Sequence, residues 1–105
     1  MSIESAVRDY AGSYTLGEAD GEHWASGAHF NEIQSIAVLS PEDIGQRDII
    51  GNISAGWLSD QAEGYRQMDP RFEPEAYLDG FLTSVRRAKR RFAFAAVAGS
   101  RSRMA

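Results

Sequence analysis

Cysteine is absent from this 105-residue chain. That excludes disulfides and thiolate nucleophiles, and it is compatible with a reducing compartment. Histidine occurs only at His23 and His29, six residues apart, whereas helical histidine ligand pairs use i, i+4 spacing and a metal site needs three or four converging ligands. The stretch from Asp20 to Glu32 lacks oxygen ligands at the alternate positions of a calcium loop. There is no nucleophile-elbow sequence and no phosphate-binding loop, since Gly17, Gly21 and Gly27 are too widely spaced for a cradle. No apolar run approaches the roughly 20 residues of a membrane span, and no charged-then-apolar leader follows Met1. The expectation is a soluble, cytoplasmic, non-enzymatic protein with no catalytic, cofactor-binding or metal-ligating residues and no membrane partner.

The composition is that of an ordinary globular protein, with 43% hydrophobic and 25% charged residues, and the length suits a single domain over 1–105. The net charge of −4 is unevenly divided. Residues 1–60 hold ten acids against Arg8 and Arg47, a net −8; residues 61–105 hold nine cations against five acids, a net +4. Two such halves either attract each other across the fold or present two surfaces of opposite sign.

The strongest local signal is DPRFEPEAYLDGFLTSVRRAKRRFAFAAVAG, residues 69–99. Asp69-Pro70 opens a turn. Pro74 suits a first helical turn, and Glu73 and Glu75 complement the positive end of the helix dipole. Phe72 is placed to fold back on Tyr77 or Leu78 as a staple. At about 100° per residue, Tyr77, Leu78, Phe81, Leu82, Val85, Ala88, Phe92, Ala95 and Ala96 form one core-facing stripe. Arg86, Arg87, Arg90 and Arg91 lie opposite, with Lys89 at the edge. A helix over about 74–97 is predicted, ended by Gly99 and followed by a short basic tail, 100–105. Phe94 misses the stripe; either the helix bends or the tail covers it, or Phe94 is an aromatic contact inside a basic patch.

Upstream, Ser2 caps a short N-terminal helix with Ile3, Ala6, Val7 and Tyr10 on one side, stopped by Gly12. Residues 12–31 carry four glycines and little periodicity; they read as a long Gly-rich loop, in which Asp20-Gly21 offers the tight turn of a small hairpin. Residues 31–39 are ambiguous: Phe30, Ile33 and Ala37 suit a helix capped by Asn31, whereas Ile36 and Val38 suit a strand; helix is favoured because no other segment supplies a sheet partner. Ser40-Pro41-Glu42-Asp43 is a helix start with the pattern of a capping box. A second long helix, about 48–68, puts Ile50, Ile53, Trp57, Leu58, Gln61, Tyr65 and Met68 on one face, and Gly51 and Gly56 offer close approach to a neighbour. Its short connection to the 74–97 helix predicts an antiparallel pair. The fold class is mainly α: a small helical domain built on that pair.

Two contact surfaces follow. One is basic: Arg86, Arg87, Lys89, Arg90, Arg91 and Phe94, where cations neutralise phosphates or acidic side chains and an aromatic stacks. An overall isoelectric point near 5.1 argues against nucleic acid as its target. The other is acidic: Glu18, Asp20, Glu22, Glu32, Glu42, Asp43 and Asp48, a set suited to imitating phosphate spacing. Trp24 is either a core plug or an exposed loop anchor.

Residues 69–81, DPRFEPEAYLDGF, resemble the NPRFD-type segment near the end of many small phage and prophage proteins. Asp69 stands for the Asn and Glu73 for the Asp, while Tyr77 and Phe81 supply the aromatics. The resemblance covers about an eighth of the chain and implies a phage or mobile-element origin, with no activity attached. The leading expectation is a protein that masks a partner protein, such as an anti-CRISPR-like inhibitor of a host defence nuclease. The rivals are a nucleic-acid-binding accessory protein using the basic helix face and an oligomeric structural protein.

Overall fold

The computed structural model describes residues 10–45 and 52–104. Among them are five helices and no strand: α1 Gly12–Gly27, α2 Phe30–Ala37, α3 Pro41–Gly45, α4 Ile53–Met68 and α5 Pro74–Met104. The helix predicted at the N-terminus falls on residues outside this set, as do Asp48, Ile50 and Gly51. Gly12 does not stop a helix: helical backbone runs from Tyr10 and Ala11 through it into α1.

The long helix α5 begins at Pro74 as predicted. The Asp69 carboxylate accepts from the Arg71 amide at 3.0 Å, forming the turn, and Phe72 staples onto Tyr65 and Tyr77 with ring centroids 5.3 and 5.4 Å apart. Tyr77, Leu78, Phe81, Leu82, Val85 and Ala88 are all buried. Each fully buried large apolar side chain contributes about 1.5–3 kcal/mol. Gly99 does not end the helix, which runs without a break to Met104, so residues 100–104 of the predicted tail are helical. The run Ala93, Ala95, Ala96, Ala98 favours continuation, and extending a formed helix costs far less than starting one.

The main correction concerns residues 12–27, which form helix α1 instead of a loop or hairpin. Ser13, Gly17, Gly21 and Ala25 recur every four residues and are buried. They face Ala76, Gly80, Ser84 and Ala88 of α5, also spaced by four and buried. A Cβ built on Gly21 would stand 2.6 Å from the Phe81 carbonyl oxygen, and those on Gly17 and Gly80 would collide with the carbonyls of Tyr77 and Tyr14. Small residues let the backbones approach this closely. The packing offsets the roughly 1 kcal/mol that each helical glycine costs against alanine. Side chains then bond across the seam: Ser84 Oγ to the Glu18 carbonyl at 2.7 Å, Tyr14 to Thr83 Oγ1 at 3.0 Å, and the Glu73 amide to Ser13 Oγ at 3.0 Å. These pairings advance together along both chains, so α1 and α5 run parallel. This is the extensive long-helix pair of the fold.

Helix α2 forms where one was expected, with its cap at His29 rather than Asn31; the Glu32 carboxylate accepts from the His29 amide at 3.1 Å. Helix α3 carries the predicted capping box, Ser40 amide to Asp43 at 2.9 Å and Asp43 amide to Ser40 at 3.2 Å.

Helix α4 starts at Ile53, five residues later than predicted, where the Asn52 side chain accepts from the Ala55 amide at 3.0 Å. It returns against α5 in the antiparallel sense, Tyr65 meeting Tyr77 and Trp57 meeting Phe81. Its buried face is Ala55, Leu58 and Ala62. Of the predicted apolar face, Leu58 is buried and Tyr65 and Trp57 pack their rings on Phe72, Tyr77 and Phe81, while the two ends, Ile53 at 88% and Met68 at 83%, are exposed. Ala55 and Ala62 flank Leu58 at the contact, so the first and last residues of α4 overhang the core. Gly56 mediates no close approach, because a Cβ there would meet nothing within 4 Å.

Candidate functional site

The predicted acidic surface does not assemble. Asp20 points into the molecule, where one carboxylate oxygen accepts from Tyr77 at 2.7 Å and from Tyr65 at 3.0 Å. It pins α1 to α4 and α5 and is removed from the contact set. Burial first, then the bond to Asp20, raises the phenol pKa of both tyrosines above the ordinary value, most strongly at Tyr77. Glu18 lies 3.6 Å from Arg87 across the seam. Glu32 and Asp43 close capping boxes. Glu22 and Glu42 remain exposed, and Asp48 lies outside the described residues. A carboxylate already bonded within the fold gives up that bond, or binds more weakly, when it serves an outside partner.

Trp24 is half-buried against Phe81 at 5.7 Å between centroids, so it packs on the core and is not a free anchor.

The basic set survives in part. Arg86 is engaged: Nε donates to the Ala37 carbonyl at 3.1 Å and Nη2 to the Leu39 carbonyl at 2.7 Å. It satisfies carbonyls left open at the end of α2, which removes it from the contact face. Arg87 leans toward Glu18. Lys89, Arg90 and Arg91 form no ion pair among the described residues. Phe94 is 78% exposed on the same side of a continuous helix. Neither a bend nor an early helix end removes it.

Beside this face lies an apolar feature that the sequence did not announce. Helix α1 ends at Gly27, so its cover of α5 stops near Ala88. Phe92, predicted to be core, is 45% exposed and touches Phe30 of α2 at 5.8 Å. A groove of about 440 Å³ opens there, lined by Glu22, Ala25, Ser26, Ala88, Arg91 and Phe92. The α5 backbone continues about 24 Å past Ala88. Periodicity marked Phe92 as apolar-faced, but nothing local told where α1 would end.

The described residues contain no group of three or more side chains able to hold a metal, and no described helix is long and apolar enough to cross a membrane. No family model, curated protein or solved structure matches the chain.

Proposed function

We propose that this chain acts by binding, docking the cationic, aromatic face of α5 on an acidic surface of a partner protein and so masking that surface. The observation that carries the reading is the placing of Arg90 and Arg91, which form no ion pair among the described residues, on the same side of α5 as the exposed ring of Phe94, with Lys89 at the edge of that face. Arginine and aromatic residues are the side chains most enriched at binding hot spots. A net charge of −4 favours an acidic protein patch over a long polyanion, which the rest of the chain would repel. The phage-type segment at 69–81 directs the search toward effector or nuclease complexes of a host. The masking version that relied on the acidic residues has lost Asp20, Glu32 and Asp43 to internal roles.

The test is capture from nuclease-treated host lysate by the tagged chain, followed by calorimetry with the purified partner. Replacing Phe94 with Ala should cost at least about 1 kcal/mol of binding, and Arg90→Glu/Arg91→Glu should abolish capture while leaving the fold intact. Unchanged affinity in both variants rejects the surface. A gel shift with duplex DNA that weakens steeply with salt and disappears in the charge-reversed variant replaces the protein partner by nucleic acid.

A further inference from the structure

Helix α5 already receives one acidic helix inside this fold. That helix is α1, which carries Glu18, Asp20 and Glu22 and no lysine or arginine. Small buried residues of the two helices meet along the seam as far as Ala25 and Ala88, and Glu18 reaches across its edge to Arg87 at 3.6 Å. Residues four apart share a helix face, so Arg91 repeats the position of Arg87 one turn further on. There α1 ends at Gly27. Its place over α5 is taken by the groove of about 440 Å³, with Ala25, Ala88 and Phe92 as apolar lining and the exposed Glu22 and Arg91 beside them. Glu22 does not repeat the role of Glu18: among the described residues neither it nor Arg91 forms an ion pair.

We infer that this groove receives an acidic amphipathic helix of the partner protein, laid on α5 in continuation of α1. The inference rests on the reading of the cationic α5 face as the contact surface, and adds the element that docks there. Apolar side chains of the partner helix fill the space over Ala88 and Phe92, the helix-in-groove mode of recognition. A carboxylate on its flank takes Arg91 as Glu18 takes Arg87. The α5 backbone runs on to Met104, about 24 Å past Ala88, which is the length of about 16 helical residues. Charge selects the occupant. Arg90 and Arg91 form no ion pair among the described residues and outweigh the one carboxylate of Glu22. A neutral helix would cover Arg91 with nothing to pair it, and a cationic one would be repelled. A second copy does not supply the helix from its own α1, because the small-residue face of α1 is already covered by the α5 of the same chain.

Fluorescence anisotropy with the full chain and a labelled synthetic peptide of about 16 residues tests this. The peptide carries leucine at helical spacing and glutamate on both flanks. Two controls keep its length: one replaces each glutamate by lysine, the other each leucine by glutamine. The acidic amphipathic peptide should bind at least about tenfold tighter than either control. Ser26→Tyr fills the groove from the exposed side of α1, and Phe92→Gln removes its apolar wall. Each should weaken binding at least about tenfold, with circular dichroism checking that helical content is kept. Glu22→Gln should tighten binding, because it removes the carboxylate that opposes the peptide. No binding up to about 1 mM, equal binding of the leucine-free control, or affinity unchanged in both Ser26→Tyr and Phe92→Gln overturns the inference. So does a wild-type dimer in sedimentation that Ser26→Tyr dissociates, which gives the groove to a second copy. With the purified partner, binding lost in Arg90→Glu/Arg91→Glu but kept in Ser26→Tyr rejects the groove and leaves the cationic face standing.

Discussion

The same substitution, glycine to alanine, should have opposite effects at two helical positions of this protein. At Gly56 a Cβ enters open space. Only the helix propensity changes there, and stability should rise by up to about 1 kcal/mol. At Gly17 the new Cβ lands on the Tyr77 carbonyl and 3.0 Å from the Phe81 amide nitrogen. Those atoms belong to the backbone of a helix packed along its length, so no rotamer change relieves the contact. The parallel helices must separate, loosening the seam from Ser13–Glu73 to Ala25–Ala88. Overpacking of this kind typically costs about 1–3 kcal/mol; the upper value applies because the obstacle is backbone. Less the propensity gain, the net loss is about 2 kcal/mol. For a domain of this size each kcal/mol moves the midpoint by about 4 °C. Gly17→Ala should therefore melt about 8 °C below wild type and Gly56→Ala up to about 4 °C above it, by circular dichroism on dilute protein, with urea titration as a second probe. A Gly17→Ala chain melting at or above the wild type would refute the close-seam account of α1.

Three more outcomes follow from the contacts inside the fold. Asp20→Ala removes the acceptor of a phenol that is fully buried at Tyr77; urea unfolding should show a loss of about 2–3 kcal/mol, partly restored in Asp20→Asn, whose amide oxygen still accepts. Because the folded pKa of Tyr77 is raised, the native state keeps a proton that the unfolded chain releases near pH 10. That stability is complete below pH 10 and should fall by about 1.4 kcal/mol per pH unit above it; melts between pH 9 and 11 should show a shallower decline for Tyr77→Phe, the remainder coming from Tyr65. Arg86→Ala should destabilise by about 1–2 kcal/mol through the two carbonyls it leaves at the end of α2, whereas Arg90→Ala, with no ion pair among the described residues, should stay within about 0.5 kcal/mol of wild type.

Much of the secondary structure was legible because its causes are local. Pro74 and Phe72 marked the start of α5, Ser40 to Asp43 marked α3, and the stripe from Tyr77 to Ala88 lies in the core as its period required. What failed were inferences that read a residue type without its neighbour. Four glycines in twenty residues signalled a loop, yet Gly17 and Gly21 line the face of α1 that packs on Ala76, Gly80, Ser84 and Ala88 of α5. The two stripes stand sixty residues apart, and neither has a meaning without the other. For the contact surfaces, sequence listed the right kinds of residue but not their availability. Asp20 and Arg86 looked like surface charges because charged residues usually are; each instead bonds to groups brought beside it from another helix.

The sequence by itself determined that this chain folds mainly into helices, where α3 and α5 begin, and that its C-terminal helix is apolar on one side and cationic on the other. Capping, proline geometry and the 3.6-residue repeat act within a few residues, so they can be read along the chain. Only the tertiary structure decided that α1 and not α4 is the close partner of α5, which charges stay unpaired, and that Ile53 and Met68 of α4 overhang the core. Those outcomes depend on which backbones approach closely enough to exclude a methyl group, and that distance is fixed by both helices together.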